Sequence, residues 1–235
     1  MTTDASSGKL DTIGKWSLII GPVLAVIFNL LLPTNGFDPI NPESSSEYIA
    51  ELGADAGVAQ VYMVLILIGV VLYTRAIIGL YRAAPEGAAK MRLGIGMMGA
   101  AAALSLWGVA IGLGLAEAST SEKVVDATAA GAAEAAAPAG LVASAMHAAY
   151  FGVLQVATYV GYIALIPIGG GIAASGIVRK EFGWVISLLG LATIILTSIF
   201  PVKTEEGIML FGILVLIWGI VFLAMGLQIA RDDMS

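Results

Sequence analysis

Residues 141–180 read LVASAMHAAYFGVLQVATYVGYIALIPIGGGIAASGIVRK. This stretch is almost wholly apolar, yet it contains the only histidine of the chain, His147. About 20 apolar residues in a helix are enough to cross the hydrocarbon core of a bilayer. We therefore interpret the stretch as a transmembrane helix that carries a few polar side chains.

The composition of the whole chain supports a membrane protein. Hydrophobic residues make up 59% of the 235 residues and charged residues 12%, and the mean hydropathy is +0.95. Soluble domains do not reach these values. The chain has no cysteine, which excludes disulfides, thiolate metal sites and thiol redox chemistry. The net charge of −6 indicates that nucleic acid is not a partner.

Six apolar runs are long enough to cross a bilayer, which predicts an all-α protein with six transmembrane helices in one bundle. The first run could also be the apolar part of a signal peptide. No small-x-small cleavage site follows it, so we interpret it as a span. The predicted domain covers residues 16–230, between tails at 1–15 and 231–235. Its spans are residues 16–32, 58–81, 93–115, 141–166, 182–200 and 207–230.

The fourth apolar run is too long for one span. About 40 residues separate Leu141 from the basic pair Arg179 and Lys180, or about 60 Å as a single helix. The one turn candidate, Pro167 with the glycines that follow it, lies too near the end for a second full span. We therefore predict a helix to residue 166 and a broken or bent extension to residue 178.

The distribution of basic residues predicts the orientation. With the N-terminus inside the cell, nine of the eleven Lys and Arg residues lie on the inner side, and only Lys123 and Lys203 lie outside. Such a bias is typical of cytoplasmic loops. We expect both termini to be cytoplasmic, in a multi-pass protein of a prokaryotic cytoplasmic membrane. Its expected partners are the lipid bilayer and either other membrane subunits or further copies of the chain.

Two segments between spans have features of their own. Ser44 and Glu47 have the spacing of a capping box, which predicts a short surface helix up to Ala54. Residues 117–140 are dominated by alanine. They either extend the neighbouring spans outward as helix, with interruptions at Gly131 and Pro138, or form a flexible connector.

Polar side chains follow one half of the fourth span at helical spacing. Polar groups that faced lipid would be unsatisfied, so this half should face the interior of the bundle or a pocket. We take these residues, together with the one charge inside a span, as candidate binding residues. They are His147, Tyr150, Gln155, Thr158, Tyr159, Tyr162 and Arg75.

The roles of His147 and Arg75 stay open at this level. His147 either packs and hydrogen-bonds between helices, lines a ligand pocket, or takes part in catalysis or metal binding. A site that it forms with Glu117 or Asp38 from the outer loops is one such arrangement. Arg75 is either an anchor whose side chain reaches the membrane surface or a functional charge. No metal site, cofactor or catalytic residue can be assigned.

Small residues predict close helix contacts. Gly108 and Gly112 form a GxxxG pair in the third span, and Ala157 and Gly161 form a similar pair in the fourth. Such pairs let helix backbones approach closely in lipid. Trp16 and Trp184 lie at predicted membrane boundaries, where tryptophan acts as an interfacial anchor.

The function is less determined than the architecture. No zinc-protease motif of the His-Glu-x-x-His kind is present, and the setting of Ser175 lacks features of a rhomboid serine. We expect a protein without catalytic activity, either an accessory subunit of a membrane complex or a binder of a small hydrophobic molecule. A small-solute transporter or channel is one alternative, and a membrane enzyme that uses His147 is another.

The order of these features resembles a known family. The segment Ser-Ser-Ser-Glu-Tyr-Ile-Ala-Glu-Leu at 44–52 precedes the second span, and Arg75 lies near the end of that span. His147 lies early in the fourth span, which glycines and then basic residues follow. This arrangement is similar to the bacterial six-span membrane family catalogued as domain of unknown function 4386. The resemblance covers nearly the whole chain and implies six spans, but it implies no activity.

Overall fold

The computed structural model describes residues 9–35 and 40–232 and is all-helical over these ranges, as the composition predicts. Its seven helices are α1 (Thr12–Leu31), α2 (Ser45–Ala54), α3 (Ala56–Ala83), α4 (Ala88–Ala129), α5 (Ala133–Ser175), α6 (Lys180–Ile199) and α7 (Glu205–Asp232). All except α2 are long and apolar enough to cross a membrane. The prediction of six spans in one bundle is confirmed.

The six long helices form a ring in chain order. Each helix from α3 to α6 packs against the helices before and after it in this order, and α7 returns to pack against α1. α1 and α3 are neighbours because α2 lies outside the ring, against α4 and α5. We call the end of the bundle that carries α2 the distal end, and the end where α1 begins the proximal end.

The alanine-rich segment extends two spans as helix, which was the first of its two interpretations. α4 runs to Ala129 and α5 begins at Ala133, so the two form a long antiparallel hairpin. The turn between them contains Gly131, whose φ of +70° favours glycine. Pro138 lies inside α5 and does not interrupt it.

The predicted break in the fourth span is wrong. α5 continues as helix through Pro167 to Ser175, and Gly176 ends it with a φ of +70°. Proline removes only one backbone donor, so a helix that is packed on both sides can continue past it. The glycines after Pro167 serve packing, since Gly169 lies against Gly183 of α6 and Gly171 lies against α4.

The predicted capping box is also absent. Ser44 is the N-terminal cap of α2, but its side chain makes no capping hydrogen bond. The helix forms nonetheless, because one of its faces is buried. Tyr48 and Leu52 are fully buried on that face, so α2 is a packed element of the fold and not only a surface helix.

Close helix contacts occur at other glycines than those of the predicted GxxxG pair. A methyl group added to Gly108 or Gly112 would meet no atom within 4 Å, so neither residue is at a helix interface. A methyl group on Gly69 of α3 would lie 2.7 Å from the carbonyl oxygen of Gly21 in α1. In α5, Gly161 is in ordinary contact with Ala103 of α4, so the second predicted pair does lie at an interface.

Candidate functional site

The polar residues of α5 point inward, as their spacing predicts. His147, Tyr150, Thr158 and Tyr162 are buried, and Gln155 and Tyr159 are partly buried. They do not form one site, however, because the helix carries them past three different parts of the bundle. His147 and Tyr150 lie near α2, the next residues lie near the α6–α7 connection, and Tyr162 reaches the centre of the ring.

His147 is held on both sides of its ring. Its Nδ1 atom lies 2.8 Å from Oε1 of Glu117 in α4, and its Nε2 atom lies 2.7 Å from the backbone carbonyl oxygen of Pro42. Glu117 is fully buried and His147 is 6% exposed. The histidine therefore connects α4, α5 and the segment before α2 in one buried contact.

The positions of the protons in this contact follow from the chemistry of the acceptors. A peptide carbonyl only accepts, so Nε2 must carry a proton and donate it to Pro42. The Nδ1 to Oε1 contact needs one further proton, which sits either on the imidazole or on the carboxyl group. In both cases the pair of side chains is neutral overall, which suits a buried site.

An aromatic and polar cluster surrounds the pair. The ring of Tyr48 in α2 lies 4.6 Å from the imidazole, centre to centre, and Phe151 lies 4.8 Å from it. The hydroxyl group of Thr34, after α1, donates to the hydroxyl oxygen of Tyr48 at 2.9 Å. Tyr48 thus links α2 to both the histidine and the end of α1.

Only one of the two carboxyl oxygens of Glu117 has a hydrogen-bond partner among the described residues. Its Oε2 atom has no hydrogen-bond partner among them, and the same holds for the hydroxyl group of Ser121 one turn further along α4. Gly53 of α2 covers this turn at close range, since an added methyl group would lie 2.5 Å from the carbonyl oxygen of Ser121. A polar residue that is buried without a partner costs about 1–3 kcal/mol.

The next polar residues of α5 support the connection between α6 and α7. The side-chain oxygen of Gln155 accepts a hydrogen bond of 2.8 Å from the backbone of Val202. The Tyr159 hydroxyl donates to the carbonyl oxygen of Thr197 at 3.4 Å. Thr158 bonds within its own helix, to Leu154. These contacts hold backbone groups, so we assign these three residues to structure.

Arg75 lies toward the proximal end, directly after Tyr73 and Thr74 of the cavity wall. Its guanidinium group donates hydrogen bonds of 2.9 and 2.7 Å to the carboxylate of Asp11, the N-terminal cap of α1. The Arg75 hydrogen bond is the main reason why the pKa of Asp11 is lowered, and the backbone N–H of Gly14 adds to the effect. Arg75 therefore joins α3 to α1.

A cavity of about 90 Å³ lies at the centre of the ring. Five of the six long helices line it, and α6 does not. The wall is mostly apolar and aromatic, which is the usual character of small-molecule sites. Its aromatic side chains are those of Tyr73, Trp107, Tyr162, Phe211 and Trp218, and its polar side chains include those of Asn29 and Thr74.

Aromatic contacts cross the interior of the ring on the proximal side of this cavity. The ring of Tyr73 in α3 lies 4.9 Å from Trp218 and 5.1 Å from Phe222, both of α7 and both edge to face. Phe222 is fully buried. Because α3 and α7 are not neighbours in the ring, these contacts cross its interior on the proximal side of the cavity.

Sequence reasoning missed most of the cavity wall. Trp107 and Trp218 have no polar pattern around them, and their proximity depends on which helices face each other. Glu117 was identified only as one of two outer carboxylates that could approach His147, and the structure shows that it does. The other, Asp38, lies outside the described residues. Among the described residues, no three His, Asp or Glu side chains come together as metal ligands would.

Comparisons with known proteins add no relative. No protein family model, curated protein or solved structure matches the chain. The resemblance to the family of domain of unknown function 4386 therefore stays a prediction, and the functional argument must come from the geometry of the chain itself.

Proposed function

We propose that this membrane protein binds a small, mostly apolar molecule in the cavity at the centre of its helix ring. The observation that carries the proposal is the cavity itself, about 90 Å³ in volume and lined by aromatic side chains from four helices. An engineered apolar cavity of roughly 150 Å³ binds benzene or xenon, so a ligand of only a few heavy atoms fits here. Asn29 offers a polar group at the distal end of the wall.

Binding accounts for the geometry better than the alternatives. A channel or transporter needs a route to both ends of the bundle, and the contacts of Tyr73 with Trp218 and Phe222 lie across the interior on the proximal side. An enzyme that used His147 as a base would need a free ring nitrogen, but both nitrogens are engaged.

Filling the cavity should abolish binding. Ala103 of α4 is buried on the cavity wall, whereas its neighbour Ala102 is exposed on the outside of the ring. We expect Ala103→Phe to lower the affinity for a small apolar probe by at least about tenfold, or 1.4 kcal/mol, because the new ring occupies the site. Ala102→Phe adds the same group on the lipid side and should leave the affinity unchanged.

Quenching of tryptophan fluorescence by bromoform measures this binding in lipid nanodiscs. Trp16 and Trp184 are exposed and are replaced by phenylalanine, so that the signal comes from Trp107 and Trp218 on the cavity wall. Saturable quenching is expected in this background and in Ala102→Phe. Only the non-saturable component from probe dissolved in lipid should remain in Ala103→Phe. Equal saturable quenching in both phenylalanine variants would contradict the proposal.

We further propose that the distal end faces the outside of a cytoplasmic membrane, because nine of the eleven basic residues lie toward the other end. The absence of native cysteine makes this easy to test. Cysteines at the exposed positions Thr128 and Lys203 should react in intact cells with a thiol reagent that cannot cross membranes. A cysteine at the exposed Ala88 should react only after the membrane is opened, and the reverse pattern would overturn the orientation.

A further inference from the structure

One compact element packs on the distal end of the bundle, mainly against α4 and α5. It consists of α2 and the segment at 40–44 that leads into it, and we call these residues, 40–54, the lid. The lid touches the ring through Tyr48 and Gly53, which lie against His147 and Ser121. Its connection to α3 is short, since Asp55 alone separates the two helices.

A line of polar contacts joins the lid to the central cavity. Asn29 lines the cavity, and its side-chain oxygen accepts a hydrogen bond of 3.4 Å from the side chain of Asn35. The adjacent Thr34 bonds to Tyr48 of the lid. Aromatic rings cross the bundle on the proximal side of the cavity, so we take the polar distal side as the route by which a ligand with a polar group would reach it.

The contact between the lid and His147 depends on one proton. The imidazole faces two acceptors, the carbonyl oxygen of Pro42 in the lid and the carboxyl group of Glu117 in the ring. Both contacts are satisfied when His147 carries two protons, or when His147 carries one and Glu117 carries the other. If this second proton is lost, a single imidazole proton remains for two acceptors, and one contact becomes repulsive.

We propose that the lid closes the distal entrance to the central cavity and that the proton shared by His147 and Glu117 holds it shut. Loss of this proton as the pH rises weakens the contact with Pro42 and opens the lid. The proposal rests on the function proposed for the cavity, and it supplies the regulation of that site. It also explains why the lone histidine lies at the lid and not in the cavity.

The other ionisable groups near the pair do not compete for this role. Tyr48 from the lid and Tyr150 from α5 face it, and a tyrosine side chain is neutral below about pH 10. Glu47 and Glu51 of the lid and Glu122 of α4 are exposed to solvent and are not part of the buried contact. Lys123 of α4 is likewise exposed to solvent.

Labelling of a cysteine beneath the lid tests the proposal without any ligand. Ser121→Cys places a thiol of similar size under Gly53, where it is fully buried when the lid is closed. Thr128→Cys, exposed on the same helix, corrects for the ionisation of the thiol itself. We expect the ratio of the two labelling rates to rise between about pH 6 and pH 10, by up to tenfold per pH unit, as proton-linked opening requires.

The replacement Glu117→Gln separates the shared proton from other effects of pH. A glutamine side chain donates to Nδ1 while Nε2 still donates to Pro42, so both contacts survive without an ionisable acid. The labelling ratio should then stay low at every pH. Removal of the neighbouring negative charge by itself favours the reactive thiolate, so slow labelling in this variant reports a closed lid.

Glu51→Gln makes the same chemical change on the exposed face of the lid and should leave the rise with pH intact. A ratio that does not change with pH in the parent chain, or a rise that persists in Glu117→Gln, would overturn the proposal. Bromoform binding is measured separately, so failure of the lid leaves the Ala103→Phe result standing. Conversely, if bromoform does not bind in the cavity, the labelling rates still report whether the lid opens with pH.

Discussion

Replacement of His147 with leucine is expected to lower the free energy of unfolding by about 3–5 kcal/mol, as is typical when one partner of a buried charged pair is removed. Leucine fills much of the space but donates no hydrogen bond to Glu117 or to the Pro42 carbonyl group, and both stay buried. An ordinary interhelical hydrogen bond in a membrane protein would account for only about 1 kcal/mol. Unfolding in mixed micelles of a mild detergent and SDS distinguishes the two values.

The source of the loss can be identified with a second substitution. His147→Leu together with Glu117→Leu leaves no buried acid, so about half of the lost stability should return, with a remaining loss of about 1–3 kcal/mol for the Pro42 carbonyl. Glu117→Leu alone should be milder than His147→Leu, because a neutral imidazole that still donates to Pro42 remains. If the double variant is as unstable as His147→Leu, then the buried carboxyl group is not responsible.

The contact between His147 and Glu117 shows why the site could not be predicted from the sequence. The two residues are 30 positions apart, and they meet only because an antiparallel hairpin turns near Gly131, almost midway between them. Alanine-rich composition was compatible with such a hairpin and equally with a flexible connector. Had the helical alternative been chosen, the pairing of these two residues would have followed from the position of the turn.

The spans themselves were predictable, because each depends on local composition alone. Length and hydropathy identify a membrane helix without knowledge of its neighbours. The ring order of the helices and the central cavity are different, since they depend on which face of each helix meets another helix. The place of Trp107 and Trp218 on a shared cavity wall is likewise a property of the assembled ring.

Proline and glycine gave the least reliable local signals. The run from Pro167 to Gly171 has the composition of a turn, yet it lies within a continuous helix. The physical reason is that glycine in a membrane helix either loosens the backbone or allows a close neighbour, and sequence does not distinguish these roles. Gly169, against Gly183 of α6, has the second role.

The same distinction predicts opposite effects for one substitution at two glycines. Gly69→Ala should destabilise the protein by about 1–3 kcal/mol, the range for overpacking at a filled contact. The added methyl group would lie 2.6 Å from the backbone nitrogen of Ala25 and 2.7 Å from the carbonyl oxygen of Gly21. Both are backbone atoms that cannot rotate away, so α1 and α3 would have to move apart.

Gly112→Ala is the matched control, because it adds the same methyl group to a helix where no other atom lies within 4 Å. Alanine is favoured over glycine within a helix by about 0.5–1 kcal/mol, so this variant should be slightly more stable than the parent chain. Thermal unfolding of both variants in the same detergent gives the comparison. Destabilisation by both substitutions would mean that the GxxxG pair of α4 does form a helix interface. The contact would then be with another molecule at the outer face of the ring, such as a second copy of the chain. Stabilisation by both substitutions would contradict the close crossing of α1 and α3. It would therefore also contradict the order of helices that forms the ring around the cavity.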